Sequence, residues 1–245
     1  MRPTAMVLLA TLALLPSSAM AQDDEPEIPL ARSRPTSGEP SFSSGRTLGV
    51  GETMIGAAAG WPWIWAEAQY ALDSSFNIGV RAALLYGSSV MALEPAVGGE
   101  LSVPMRIHLF GEDVIDLAAY VTPTFSLGEG GGVGEGGNLF SGDLGWSSRL
   151  EVGGLLGWRA AERLTLLVGL GGQFGFVHTP AAGDPELMGG VLARLGLEGL
   201  ISRDTMLFAL LEGGLGFAPS RGVALFRGES FPPILRISLG IAYLL

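Results

Sequence analysis

Ser238-Leu239-Gly240-Ile241-Ala242-Tyr243-Leu244-Leu245 are the last eight residues of the chain, and they read polar-x-Gly-x-x-aromatic-x-hydrophobic. Upstream the same alternation continues. Leu235, Ile237, Leu239, Ile241, Tyr243 and Leu245 share one face, and Arg236, Ser238, Gly240 and Ala242 share the other. A period of two places successive side chains on opposite sides of an extended backbone, so this is an amphipathic β-strand.

Nine more segments alternate in the same way. The candidate strands are 46–59, 63–72, 76–87, 95–109, 115–127, 144–158, 164–177, 189–201, 206–217 and 233–245. The connections between them differ in length. Asp73-Ser74-Ser75, Phe110 to Val114, Arg159 to Arg163 and Ser202 to Thr205 are short and polar, whereas Ser88 to Glu94, Gly128 to Asp143, His178 to Met188 and Ala218 to Pro232 are longer. Gly60-Trp61-Pro62 is short where a long one is due. Tight turns at one end and long loops at the other predict an all-β, transmembrane, antiparallel up-and-down β-barrel of about ten strands, with eight and twelve as the alternatives.

Composition agrees with that reading. The chain has 245 residues, 38 of them Gly, only 16% charged residues and a net charge of −10. Its mean hydropathy is +0.41. Apolar content spread over short alternating segments is the barrel pattern, whereas long apolar runs would mean membrane helices. All 14 basic residues are Arg, and the net negative charge argues against a nucleic-acid partner. There is no cysteine, which excludes disulfides, thiol chemistry and a lipid-modified N-terminus.

Met1 to Ala21 has the layout of a secretory signal peptide: Arg2, an apolar run from Ala5 to Leu15, and the small-x-small site Ala19-Met20-Ala21. The run is too short to span ~30 Å of hydrocarbon as a helix. Residues 22–45 are rich in Pro, Ser and charge and have no period, so they predict a disordered periplasmic tail. The domain expectation is therefore a cleaved signal peptide at 1–21, the tail at 22–45 and an outer-membrane barrel at 46–245.

The apolar stripes face either lipid or the core of a soluble barrel. Three features favour lipid. The opposite face is too poor in charge for a solvated surface, with Gly, Ala or Leu at many positions. Aromatics also collect at strand ends: Trp61, Trp63, Tyr86, Phe125, Trp146, Phe174, Phe176 and Phe217 toward the long loops, and Tyr70, Phe76, Trp158 and Tyr243 toward the short turns. Trp146 and Trp158 lie on one face of one strand and, at ~3.3 Å per residue and ~40° of tilt, are about 30 Å apart along a membrane normal. The third feature is the terminal pattern. Ser238-x-Gly240-x-x-Tyr243-x-Leu245 resembles the C-terminal signal by which the outer-membrane assembly machinery recognises its clients, with Leu in place of the commoner final Phe. Pro104 and Pro123 each remove a ladder N–H and predict bulges or locally missing bonds.

On these residues the segment from Arg46 to Leu245 resembles the small single-chain outer-membrane β-barrels of Gram-negative bacteria, the class of OmpA-, OmpX- and OmpW-like barrels. The resemblance implies fold and location, with outer-membrane lipid, lipopolysaccharide and, during biogenesis, the barrel assembly machinery as partners. A further periplasmic or outer-membrane protein partner fits the tail.

With the apolar face outward, the lumen receives Glu52, Glu67, Arg81, Glu100, Arg106, Asp116, Arg149, Glu151, Arg194, Glu198, Glu212 and Arg236. Such charges form either a constriction that selects solutes by sign or an Arg–carboxylate network that fills the barrel. Inward glycines, among them Gly79, Gly153, Gly169, Gly171 and Gly196, leave room for water or for long side chains. The first functional expectation is a narrow pore for small solutes. The alternative is a non-conducting barrel that serves as envelope anchor or as subunit of an outer-membrane complex.

Catalysis is not expected. His108 falls at the periplasmic end and His178 at the start of an outer loop, with no His-x-Ser pair or paired aspartates beside it. The Gly128 to Gly137 run lacks the Lys-Ser/Thr ending of a phosphate loop and carries two acids. Arg221 and Arg227 read as solvated loop charges. No cofactor or metal is implied.

Overall fold

The structure, a computed structural model, describes residues 41–87, 97–112, 114–128, 144–178, 184–217 and 233–245. The predicted signal peptide, residues 22–40 of the tail, Glu129 to Gly137, Arg221 and Arg227 lie outside them.

Eleven strand segments follow one another without a helix among the described residues. They are β1 (Thr53–Trp61), β2 (Trp63–Ala71), β3 (Phe76–Leu85), β4 (Gly98–Ser102), β5 (Met105–Gly111), β6 (Ile115–Gly128), β7 (Gly145–Ala161), β8 (Leu164–His178), β9 (Glu186–Leu200), β10 (Thr205–Phe217) and β11 (Pro233–Leu244). β4 and β5 are two halves of one strand, because β3 and β6 each hold both in a single register across the gap. Counted so, each strand pairs antiparallel with its neighbour in the chain, and β1 pairs with β11 from Met54↔Leu244 to Trp61↔Ile237, which closes the sheet. The architecture is a closed, up-and-down barrel of ten strands. Closure leaves no open edge, the condition for a sheet to exist in lipid.

The gap between β4 and β5 has a chemical cause. Val103 N–H donates to Pro123 O at 3.0 Å, and Gly79 N–H donates to Pro104 O at 2.7 Å. The return bond is absent in both pairs because proline has no N–H. Both prolines thus sit where one ladder bond of a pair is missing. Pro123→Ala restores a donor opposite Val103 O, and we expect a gain of about 0.5–1.5 kcal/mol, read as a higher urea midpoint of the refolded barrel.

The predicted strand at 46–59 begins later, at Thr53. Its last bonds to β2 run from Gly51 N–H to Ala71 O at 3.0 Å and from Ala71 N–H to Glu52 O at 3.1 Å, and β2 itself ends at Ala71. The chain turns instead at Gly49–Glu52, where Gly51 has φ of 80° and Glu52 N–H donates to Gly49 O at 2.8 Å. Upstream of this turn, residues 41–48 run inside the barrel. Phe42 and Leu48 are 3% and 0% exposed, and Ser41, Ser44, Arg46 and Thr47 are also buried. The predicted tail therefore does not extend to residue 45.

The short-turn end is tied by local bonds. Asp73 Oδ1 accepts Ser75 N–H at 2.7 Å and Ser75 Oγ–H at 2.8 Å. These bonds hold the Asp73 carboxyl below the ordinary carboxylate range. At the terminus, Leu245 N–H donates to Thr53 O at 2.8 Å.

The outside of the barrel is an apolar band. Leu170, Leu239, Leu84, Val168 and Val191 project outward and are more than half exposed. Trp158, Phe125, Phe174, Phe176 and Tyr243 are also exposed, and Trp146 stacks between Phe125 (6.5 Å) and His178 (5.9 Å). One rim aromatic is misplaced in the prediction. Trp63 is 5% exposed and faces the lumen, because it shares strand parity with Glu67. Phe217 contributes backbone to β10, and its side chain lies outside the described residues.

Candidate functional site: the barrel lumen

The lumen divides into an apolar sector and a polar one. β1, β2, β10 and β11 supply Met54, Trp63, Trp65, Met206, Phe208 and Leu244, and these pack with Phe42 and Leu48 of the N-terminal segment. Phe42 lies against both Trp65 (5.9 Å between centroids, 8° between planes) and Phe208 (5.0 Å, 20°). Its floor is Gly56, where a Cβ would stand 2.6 Å from the ring. A glycine wall makes room for flat rings in the same way at Gly171, where a Cβ would collide with the Tyr120 hydroxyl.

The polar sector holds charges in three groups. Arg81 Nε donates to Glu67 at 2.5 Å, and its guanidinium lies 4.6 Å from the Trp65 ring centre. Arg149 pairs with Glu100, which also accepts Ser126 Oγ–H at 3.0 Å. The largest group links four strands. Arg194 bridges Glu151 (2.9 Å) and Glu212, while Arg236 bridges Glu151 (3.2 Å) and Glu212 (3.4 Å) and donates to Gln173 Oε1 at 2.9 Å. Arg194 also covers Tyr120 and Arg236 covers Trp63, at 4.8 and 5.3 Å. Every one of these carboxylates therefore faces a guanidinium. That geometry offsets the cost of removing charge from water and locks neighbouring strands in register.

The remaining predicted lumen residues meet the N-terminal segment. Glu198 accepts Ser41 Oγ–H at 2.6 Å and the Ser43 N–H. Arg106 donates to Phe42 O (2.7 Å), to Ser44 O and to Gln69 Oε1 (2.7 Å). Asp116 pairs with Arg46 at 3.1 Å, and His108 Nδ1–H donates to Gly45 O at 2.8 Å. Thr47 Oγ1–H donates to Ser74 O at 2.7 Å. Glu52 belongs to the turn before β1, where its carboxylate accepts the Gly49 N–H at 2.7 Å.

Between these groups lies a cavity of about 80 Å³, lined by Phe42 and Ser43 of the N-terminal segment and by wall residues that include Glu100, Thr124 and Arg149. That is room for several waters. Asn77 and Ser102 line it and have no protein hydrogen-bond partner, so water must satisfy them.

The residues of the terminal pattern have packing roles of their own. Ser238 Oγ accepts the indole N–H of Trp63 (3.1 Å) and of Trp65 (3.3 Å). Gly240 lies under Phe208, whose ring would collide with a Cβ there. Tyr243 and Leu245 point outward and are exposed.

The sequence reading missed the inner aromatics Trp65, Tyr120 and Phe208, the amides of Gln69 and Gln173, and above all Phe42. One signal was present: Phe42 is the sole aromatic between Gln22 and Gly45, in an otherwise polar stretch.

The sequence matches no protein-family model and no curated protein. Among solved structures it is similar to the N-terminal β-barrel domain of Pseudomonas aeruginosa OprF, with 12% identity and a TM-score of 0.35 over 81% of this chain and 100% of that one. It is also similar to OmpT, an outer membrane protein of Vibrio cholerae (13%, 0.33, 79% of this chain and 61% of that one). A third is Ail, the attachment invasion locus protein of Yersinia pestis (11%, 0.28, 80% and 99%).

Proposed function

We infer that this protein is an integral outer-membrane β-barrel with a closed lumen, exported through a signal peptide cleaved after Ala21. Its role is that of an envelope anchor or a subunit of an outer-membrane complex. The observation that carries this reading is the pairing of apolar outside with self-neutralised inside. The exposed strand faces are Leu, Val, Ile and aromatic, while the interior charges turn on one another and on Ser41–Thr47. In water the first property would drive aggregation, whereas in lipid it is required.

The partners proposed are outer-membrane lipid and lipopolysaccharide around the band, with the barrel assembly machinery reading the exposed Tyr243 and Leu245. No catalytic role is assigned to the two histidines. His108 is engaged with Gly45 O, and His178 is stacked on Trp146. The second reading, a narrow pore for small solutes, is favoured by the polar cavity alone.

Single-channel recording decides between the two. Refolded full-length mature protein in a planar bilayer is expected to give no discrete current steps, with folding verified by heat-modifiable gel mobility. Stable steps from the unaltered protein would replace the closed-barrel reading with the pore.

A further inference from the structure

We propose that Ser41–Thr47 is a displaceable gate, whose withdrawal from the lumen opens a water-filled, cation-selective path through the barrel. The proposal rests on the reading of a membrane barrel that is closed at rest.

The segment is inside the barrel without being part of its wall. No ladder pairing of β1 to β11 involves it, since pairing begins at Thr53. It is held by side chains instead: Phe42 in the Trp65–Phe208 slot, Glu198 on Ser41 and Ser43, Arg106 on two of its carbonyls, Asp116 on Arg46. Apart from the single aromatic, these are polar contacts that water can replace. No strand pairing has to break for the segment to leave.

The segment packs on the apolar sector on one side and borders open space on the other. Phe42 and Ser43 form one boundary of the polar cavity that continues to Glu100, Thr124 and Arg149. Removing them joins that cavity to the short-turn end. Asn77 and Ser102 line that cavity and already require water there.

The charge of the opened path follows from what the gate takes with it. Arg46 leaves with the segment, and Glu198 loses both its Ser41 and Ser43 donors. The wall then carries six carboxylates (Glu67, Glu100, Glu151, Glu198, Glu212 and Asp116) against the five guanidiniums of Arg81, Arg106, Arg149, Arg194 and Arg236. The two acids that lose gate partners, Asp116 and Glu198, then face the mouth, where acidic groups favour cations.

Two full-length variants displace the gate from opposite sides. Phe42→Asp puts a charge into the aromatic slot, and Gly56→Val fills the floor on which the ring rests while leaving the segment's own sequence intact. The chain has no cysteine, so Ser44→Cys, at a buried gate position, gives one labelling site for a membrane-impermeant maleimide in each background. Folding of each protein is verified by heat-modifiable mobility.

We expect the folded variants to label at residue 44 at least tenfold faster than the Ser44→Cys parent. They should also show discrete currents that favour potassium over chloride, and adding Glu198→Gln should weaken that preference. Faster labelling without current would overturn the proposal, because the lumen would be shut with the gate out. Unchanged labelling without current would overturn it too, by making the segment a fixed part of the core. Currents without cation preference would remove the selectivity. Equal currents from the parent and the variants would sink the closed-barrel reading, a different failure.

Discussion

Arg194→Met should unfold the barrel more readily than any other single change to its interior, at a cost of about 3–5 kcal/mol. Arg194 sits between two carboxylates from different strands. It donates through Nε to Glu212 at 2.6 Å and through an NH2 group to Glu151 at 2.9 Å. Methionine has a similar length and no charge, so it leaves Glu151 and Glu212 with only Arg236 between them, at 3.2 and 3.4 Å. The penalty is mostly that of stranded negative charge, which predicts a specific rescue. Glu212→Gln in the same protein should recover part of the loss, and the double-mutant cycle should show a coupling on the order of 1–3 kcal/mol. Arg194→Lys should fall between, because an ammonium is a point charge and cannot fork to two partners as a guanidinium does. Urea-induced unfolding of the barrel refolded into lipid vesicles measures the four proteins of the cycle and Arg194→Lys. A loss below about 1 kcal/mol for Arg194→Met would mean that the four-residue network contributes no more than a surface ion pair.

Leu239→Arg should be the most damaging change to the outside, costing about 2–4 kcal/mol, whereas Tyr243→Arg on the same face should cost about 0–1 kcal/mol. Leu239 is 66% exposed and lies near the middle of β11, while Tyr243 is next to its end. In lipid the midplane position has no water for a guanidinium to reach, and the rim position does. A barrel exposed to water would show neither the cost nor the gradient, since exposed surface substitutions usually stay within about 0.5 kcal/mol. The same vesicle unfolding assay reads both variants. Equal, small effects at the two depths would remove the membrane reading altogether, independently of whether the lumen conducts.

The strands were legible because alternation is a local property. Each strand carries its own period-two pattern, and parity within a strand assigns every side chain to a face. That is why Arg81, Glu100, Arg194 and Arg236 could be placed inside from sequence, and why Trp63 is a case of parity being overruled by the expectation of a rim aromatic. Glu67 and Trp63 are four residues apart on one strand and must face the same way. The prolines were legible for a related reason, since a missing N–H has a consequence wherever the sheet passes.

The partners of those charges were not legible. That Arg194 meets Glu151 as well as Glu212 depends on the register between strands, which one strand's sequence does not state. The division of the lumen into an aromatic sector and a charged one has the same origin, because it arises from which strands closure makes neighbours.

The amino-acid sequence by itself determined the period, the apolar outside and the charged inside of this protein, since each is written into short segments and needs no distant contact, whereas closure of the sheet fixed the strand number at ten. Only the tertiary structure decided where residues 41–48 go. Ser41 and Glu198 are 157 positions apart, and the slot for Phe42 exists only once β1, β2 and β10 stand around one lumen. Outside that slot Ser-Phe-Ser-Ser-Gly is too polar to fold on its own and reads as tail. Inside it, one ring finds two aromatic faces and a glycine floor, and the backbone finds Glu198 and Arg106 already oriented to receive it.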